Sequence, residues 1–128
     1  MFRLQEQSAS PIYEQIVDQM KALVATGALE AGEKVPSVRE LSAMLLVNPN
    51  TVSKAYQELE RQGVIVTMRG KGTFVAEAAS PGMAEERMKK LREDIKRVAL
   101  EAKHLGLEPS GLLDMVEQAC HEWWREES

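Results

Sequence analysis

The chain has 128 residues, with 16 Lys and Arg against 20 Asp and Glu, and a formal net charge of −4. This length suits one domain, or a small domain with an accessory segment, and it excludes a TIM barrel or a dinucleotide-binding enzyme with a separate substrate domain. The single cysteine excludes an internal disulfide, a cysteine-based zinc site and an iron–sulfur cluster. Because no long apolar run is present, we expect no signal peptide, no membrane span and a cytoplasmic location.

Charge is distributed unevenly along the chain. Residues 36–76 hold five Lys or Arg against three Glu, whereas the segments before and after are acidic, with net charges of −2 and −4. The middle segment is therefore the basic one, and local charge governs the binding of polyanions more than the total does.

The first two predicted helices follow apolar spacing and capping residues. Ser10 is predicted to cap the first helix, with Pro11 at its first position and Gly27 at its end. Apolar residues recur at helical spacing between them: Ile12, Ile16, Met20 and Leu23. Ser37 and Glu40 have the spacing of a capping box and predict a second, short helix.

The next segment predicts a third helix and a hairpin. Asn48-Pro49-Asn50 breaks the second helix, and the third is predicted to open at Asn50 or Thr51 and to end at Gly63. The β-branched run 64–67 and the stretch 73–75 predict two strands joined by a glycine-rich turn at 69–72. We therefore expect a two-stranded hairpin with a basic tip.

The last part of the chain predicts two helices after a boundary at residues 78–82. Apolar residues alternate at spacings of four and three from Ala84 to Leu105, Gly106 ends that helix, and Pro109 opens another. The predicted fold is mainly α with a small β-hairpin: a domain of three helices and the hairpin over residues 1–77, followed by a two-helix element over 78–128.

The order helix, helix, turn, helix, hairpin leaves one face of the third helix exposed, and that face is polar. Hydroxyl, amide and ammonium groups bind phosphates or base edges, and a glycine-flanked basic tip suits a minor groove. The predicted DNA-binding residues are Ser37, Arg39, Asn50, Thr51, Ser53, Lys54, Arg69, Gly70, Lys71 and Gly72, with Gln57 on the same polar face.

Five different segments carry recognisable motifs: Pro11–Ile16, Gly27–Gly32, Pro36–Leu41, Asn48–Tyr56 and Arg69–Val75. In this order and register they resemble the GntR family of bacterial transcription regulators, and within it the short YtrA subfamily. The resemblance covers roughly residues 11–76 and implies a winged helix–turn–helix that reads DNA.

The resemblance also assigns roles to single residues. The arginine that the family carries on its second helix falls on Arg39, its recognition-helix threonine on Thr51, and its wing-tip glycine on Gly70. Pro49 and Ser53 stand where many members carry arginines, as is typical of the YtrA branch. The roughly fifty residues after the wing resemble a helical dimerisation tail and are too few for the ligand-binding domain of larger members.

Dimerisation is the role expected for the apolar stripes of the tail, because two amphipathic helices alone cannot cover both. The residues predicted to form this interface are Met88, Leu91, Ile95, Val98, Leu105, Leu112, Val116 and Trp123. Cys120 is expected to be a buried thiol there, and Trp124 to serve in packing beside it. His104 and His121 are expected to be exposed, with no metal bound.

The sequence therefore predicts a homodimeric repressor of transcription that binds a palindromic operator. The resemblance implies control of a nearby operon, often one encoding an ABC transporter, and of the regulator's own gene. No cofactor is expected, and a small-molecule effector stays open. One alternative is a winged helix used as a protein-interaction module, which usually lacks a basic wing tip; the other, an enzyme, lacks a nucleophile–base pair.

Overall fold

The computed structural model describes residues 2–77 and 81–124, with the side chains of 81–83 left out. The chain forms two compact units, Met1–Ser80 and Pro81–Ser128. The predicted boundary at 78–82 falls partly on residues 78–80, outside the described residues, and it stays a prediction.

The first unit contains three helices and a three-stranded sheet. Its elements are α1 (Ile12–Ala25), β1 (Lys34–Val35), α2 (Val38–Leu45), α3 (Pro49–Arg61), β2 (Ile65–Met68) and β3 (Gly72–Val75). The sheet is antiparallel with the strand order β1-β3-β2, and Ile65 lies opposite Val75. The predicted helix–helix–helix–hairpin order is thus confirmed.

The number of strands is a correction, because the sequence predicts two and the sheet has three. Lys34 of β1 pairs with Phe74 of β3, and the backbone N–H of Val75 donates to the Glu33 carbonyl at 2.8 Å. A two-residue strand is too short to show alternation, so its pairing depends on β3 offering a free edge rather than on a local pattern.

The core of this unit lies between the helices and the sheet. Its fully buried large side chains come from all three helices and β3: Ile16, Met20, Leu41, Val52, Leu59 and Val75. Val38 and Leu45, which the spacing of α2 also turns inward, are half-buried and pack against this core. The predicted apolar faces of the helices are therefore the ones that are buried.

Helix starts were predicted less well than helix faces. Pro11, not Ser10, is the N-cap of α1, and no side chain caps it; the Ser10 hydroxyl donates to the Glu14 carboxylate at 3.2 Å. Asn48 caps α3 by accepting from the Asn50 backbone N–H at 2.8 Å, so the helix begins at Pro49, before the predicted start. Proline suits that first position because its missing N–H has no helical partner.

The segment before α1 is fastened to it by two glutamine amides. Gln15 accepts from the backbone N–H of Gln5 at 2.8 Å and donates to its carbonyl at 2.9 Å. Gln19 pairs in the same way with Arg3, at 2.7 and 2.6 Å. Each amide therefore satisfies both backbone groups of one residue, as a neighbouring strand would.

The second unit consists of α4 (Pro81–His104) and α5 (Pro109–Trp123), with Gly106 in the left-handed conformation between them (φ 83°). The predicted helices and the glycine stop are confirmed. Among the described residues of this unit, only Ala102 is a buried hydrophobic residue. None of the described helices is long and apolar enough to span a bilayer.

Candidate nucleic-acid interface

A tight turn sets α3 against α2. Leu46, the C-cap of α2, adopts a left-handed conformation (φ 55°), and the Val47 N–H donates to the Ser42 carbonyl at 3.1 Å. A leucine in this conformation is strained because its Cβ approaches its own carbonyl. Leu46 is 92% exposed, so packing against the described residues does not offset that strain.

The two faces of α3 differ as the sequence predicts. Val52, Ala55, Tyr56 and Leu59 are buried on one face. On the other face Asn50, Lys54 and Gln57 are exposed, whereas Thr51 and Ser53 are half-buried. The exposed face presents amide and ammonium groups that can bind phosphates and base edges.

The first turn of α2 presents Arg39. Ser37 and Glu40 form the predicted capping box: the Ser37 hydroxyl accepts from the Glu40 N–H at 3.0 Å, and the Glu40 carboxylate accepts from the Ser37 N–H at 3.0 Å. The Ser37 hydroxyl therefore caps the helix within the chain. Arg39 is exposed and forms no ion pair with any described residue, which leaves its charge available to an anion.

Tyr56 connects α3 to the start of α2. Its hydroxyl donates to the Pro36 carbonyl at 2.6 Å, two residues before the helix that carries Arg39. Burial, with a smaller effect of the Glu40 charge, raises the pKa of Tyr56 to about 12, so the phenol is protonated and can donate. The link joins two segments twenty residues apart, so no local sequence pattern displays it.

The wing tip joins β2 to β3. Arg69 and Lys71 are exposed, Gly70 has a left-handed φ of 79°, and the Lys71 N–H donates to the Met68 carbonyl at 2.9 Å. The geometry thus places two cations on a narrow turn with little side-chain bulk between them. This arrangement fits the minor-groove contact that the sequence predicts.

Lys34 lies beside the wing, although the sequence analysis did not include it. A Cβ added at Gly72 would come within 2.8 Å of the Lys34 Cε, so the absence of a side chain at Gly72 lets Lys34 cross the strand. Hydrogen bonds from Ser37 chiefly lower the pKa of Glu40, and the Lys34 charge adds to the effect. The Lys34 side chain therefore lies against Gly72 of the wing, and its charge acts on Glu40 in the first turn of α2.

Two basic residues of α3 have partners within the unit. The Lys54 Nζ lies 4.0 Å from the centroid of the Tyr13 ring on α1. Arg61 donates to the Glu58 carboxylate three residues before it, from Nε at 2.9 Å. Lys54 forms no ion pair with a described residue, whereas the charge of Arg61 is compensated by Glu58.

In the second unit, the residues predicted to form a dimer interface are mostly exposed. Leu91 is 52% exposed and Ile95 58%, and only Leu112 of the predicted set is half-buried. Along α4, Lys90 and Arg97 donate to the Asp94 carboxylate and lower its pKa. The tail thus presents an apolar stripe beside ion-paired charges, as in helices that associate.

The two histidines and the cysteine of the second unit also have sequence predictions. His104 and His121 are exposed as predicted, and Cys120 is half-buried in the single chain. Across residues 2–77 and 81–124, no group of three or more His, Cys, Asp or Glu could hold a metal ion. The burial of Cys120 in a dimer core stays a prediction.

Comparison with known proteins bears on the first unit and on the whole chain. Residues 12–75 match the family model described as bacterial regulatory proteins, gntR family. The chain is 44% identical over 126 residues to the HTH-type transcriptional repressor YtrA of Bacillus subtilis. The aligned region covers 98% of this chain and 91% of that protein.

Solved structures show the same similarity. A transcriptional antiterminator from Listeria monocytogenes EGD-e superimposes with a TM-score of 0.81 at 42% identity, over 100% of this chain and 96% of the other. The DNA-binding domain of AraR in complex with operator ORX1 superimposes with a TM-score of 0.53 at 28% identity, over 59% of this chain and 96% of that domain.

Proposed function

Because this chain belongs to the GntR family of DNA-binding transcriptional regulators, which are not enzymes, we propose that it is a homodimeric repressor that binds a palindromic operator. Residues 1–77 bind the operator in this proposal, and residues 78–128 hold the two copies together. The proposed place of action is the cytoplasm, where bacterial operator DNA is found.

The observation that carries the DNA-binding half of the proposal is the set of uncompensated polar and basic groups on the first unit. Arg39, the exposed face of α3 and the wing tip are free of acidic partners among the described residues. The AraR DNA-binding domain, to which this unit is similar, was solved on operator DNA, and the similar YtrA carries the name of a repressor.

The dimer is supported by the tail. Its apolar side chains are about half exposed in the single chain, and water contact at such a stripe is unfavourable by about 25 cal/mol per Å² of apolar area. A second copy covers the same stripe with the same residues, which is the self-complementary form of a two-fold interface.

The proposed mechanism is steric exclusion at a promoter. Two recognition helices α3 enter successive major grooves, and the wings contact the flanking minor grooves. Resemblance to the YtrA subfamily suggests a neighbouring operon as target, often one encoding an ABC transporter, together with the regulator's own gene. The proposal requires no cofactor and leaves a small-molecule effector open.

The test begins with selection of operator DNA from randomised duplexes by the full chain. We expect enrichment of a palindrome, and Arg39→Ala should lower affinity for it about tenfold while sedimentation still shows a dimer. Arg92→Ala is the matched control, because it removes an exposed arginine from the tail and should bind as the wild type does. Selection that enriches no sequence overturns the proposal, and unchanged affinity for Arg39→Ala removes Arg39 from the interface.

A further inference from the structure

One contact joins the start of α1 to the exposed face of the recognition helix. The Lys54 Nζ lies 4.0 Å from the Tyr13 ring centroid, which is the geometry of a cation–π interaction. Tyr13 is half-buried and packs against the core, whereas the lysine is exposed. The ring is therefore the fixed partner, and the flexible lysine is the partner that it orders.

Two acidic residues whose charges act on Tyr13, Glu14 and Glu58, have hydrogen-bond partners other than this lysine. Glu58 lies four residues after Lys54, where a helical ion pair would form, but it accepts from Arg61 at 2.9 Å and from the Gln62 amide at 2.5 Å. Glu14, next to Tyr13, accepts from the Ser10 hydroxyl at 3.2 Å and from the Tyr13 hydroxyl at 3.4 Å. Lys54 itself forms no ion pair with any described residue.

An aromatic ring and a carboxylate hold an ammonium with different results. A carboxylate cancels the charge, so a phosphate must displace it before binding. The face of a tyrosine attracts the ammonium through its quadrupole and leaves the net charge in place. A lysine held in this way loses less side-chain entropy when it meets a phosphate, because its four-carbon stem is already ordered.

We propose that Tyr13 is a positioning residue that holds the Lys54 ammonium ready to bind a DNA phosphate. The inference rests on the proposed function, because it requires that the exposed face of α3 meets DNA. In this proposal α1 affects DNA binding through Lys54, and Tyr13 itself need not touch DNA.

The binding test uses a fluorescein-labelled random-sequence duplex and the full chain, with affinity measured by anisotropy over a series of salt concentrations. Lys54→Ala should lower affinity and reduce the salt slope by about one. Tyr13→Leu, which keeps apolar volume but removes the ring, should weaken binding about two- to fivefold. Tyr13→Phe, which keeps the ring, should recover most of that loss.

Coupling separates positioning from a merely structural effect. Tyr13→Leu should cost nothing further in a Lys54→Ala background, whereas its effect should add in full to that of Lys71→Ala on the wing. Full additivity with Lys54→Ala overturns the proposal, because Tyr13 would then act on its own.

A second readout needs no DNA. The ring should shift the Lys54 Hε protons upfield in the NMR spectrum; the shift should persist in Tyr13→Phe and disappear in Tyr13→Leu. Its absence in the wild type overturns the contact. If the wild type binds duplex and Lys54→Ala binds equally well, this inference fails alone; if the wild type binds no duplex at low salt, the proposed function fails.

Discussion

The two units of this chain are both largely helical, but the first buries its apolar side chains and the second leaves most of them exposed. In the first unit Ile16, Met20, Leu41 and Leu59 are wholly buried between helices and sheet. In the second, Ala102 is the only buried hydrophobic side chain among the described residues, and leucines along α4 remain half exposed or more.

The difference shows what each unit needs in order to be stable. In the first unit α1, α2 and the sheet all pack against α3, so the unit covers its own apolar surface. The second, over its described residues 81–124, has two helices and no further layer. In the proposed dimer, association would supply much of the stability of this pair, as it does for helices with a heptad-like spacing of apolar residues.

The largest expected effect comes from emptying the core of the first unit. Leu59→Ala should lower the free energy of unfolding by about 3 kcal/mol, since it removes a fully buried side chain and leaves a cavity. The measurement is urea denaturation followed by circular dichroism at one fixed protein concentration. Leu100→Ala on α4 is the control; its side chain is 69% exposed, and the change should stay within about 0.5 kcal/mol. Equal losses at both sites would refute the contrast between the units.

A charge placed in the stripe of the tail should break association without unfolding the first unit. Ile95→Asp puts a carboxylate at the centre of the proposed interface in both copies, and the dissociation constant of the dimer should rise about a hundredfold. Sedimentation velocity over a concentration series measures it. Leu100→Asp introduces the same charge on α4 outside the apolar stripe and should leave the dimer intact. A dimer that survives Ile95→Asp would show that the stripe is not the interface.

The smallest effect concerns backbone strain in the first unit rather than burial. Leu46→Gly should raise the free energy of unfolding by about 0.5 kcal/mol, because glycine adopts the left-handed conformation without a Cβ clash, and this gain exceeds its greater chain entropy. Thermal unfolding is the measurement. Leu46→Ala keeps the Cβ and should give no gain; if both variants gain equally, the exposed side chain, and not the backbone, is the source of the effect.

Local sequence patterns predict the features that lie within a single element. The faces of α1 and α3, the capping box at Ser37 and the glycine stop at Gly106 are local patterns, and all are confirmed. Such patterns do not predict the features that two distant segments define. β1 exists because Lys34 and Val35 find the edge of β3, and no periodicity shows in two residues.

In the candidate interface, too, some features follow from local sequence and others only from packing. Exposure of Arg39, Arg69 and Lys71 follows from their positions in a first turn and a hairpin tip, which the sequence displays. The partner of Lys54 does not, because Tyr13 lies on α1, forty-one residues earlier, and only the packing of α1 on α3 brings the ring beneath the ammonium. Their roles in binding remain predictions.

The hydrogen bonds that hold the segment before α1 through Gln15 and Gln19 have a consequence for salt-dependence experiments. Both pair neutral amides with neutral backbone groups, from Gln15 to Gln5 and from Gln19 to Arg3. Hydrogen bonds without charge are hardly screened by ions, unlike contacts with phosphate. When ionic strength is varied to count the phosphates that a duplex engages, this fastening should therefore hold constant, and the measured slope should report the cations of the interface alone.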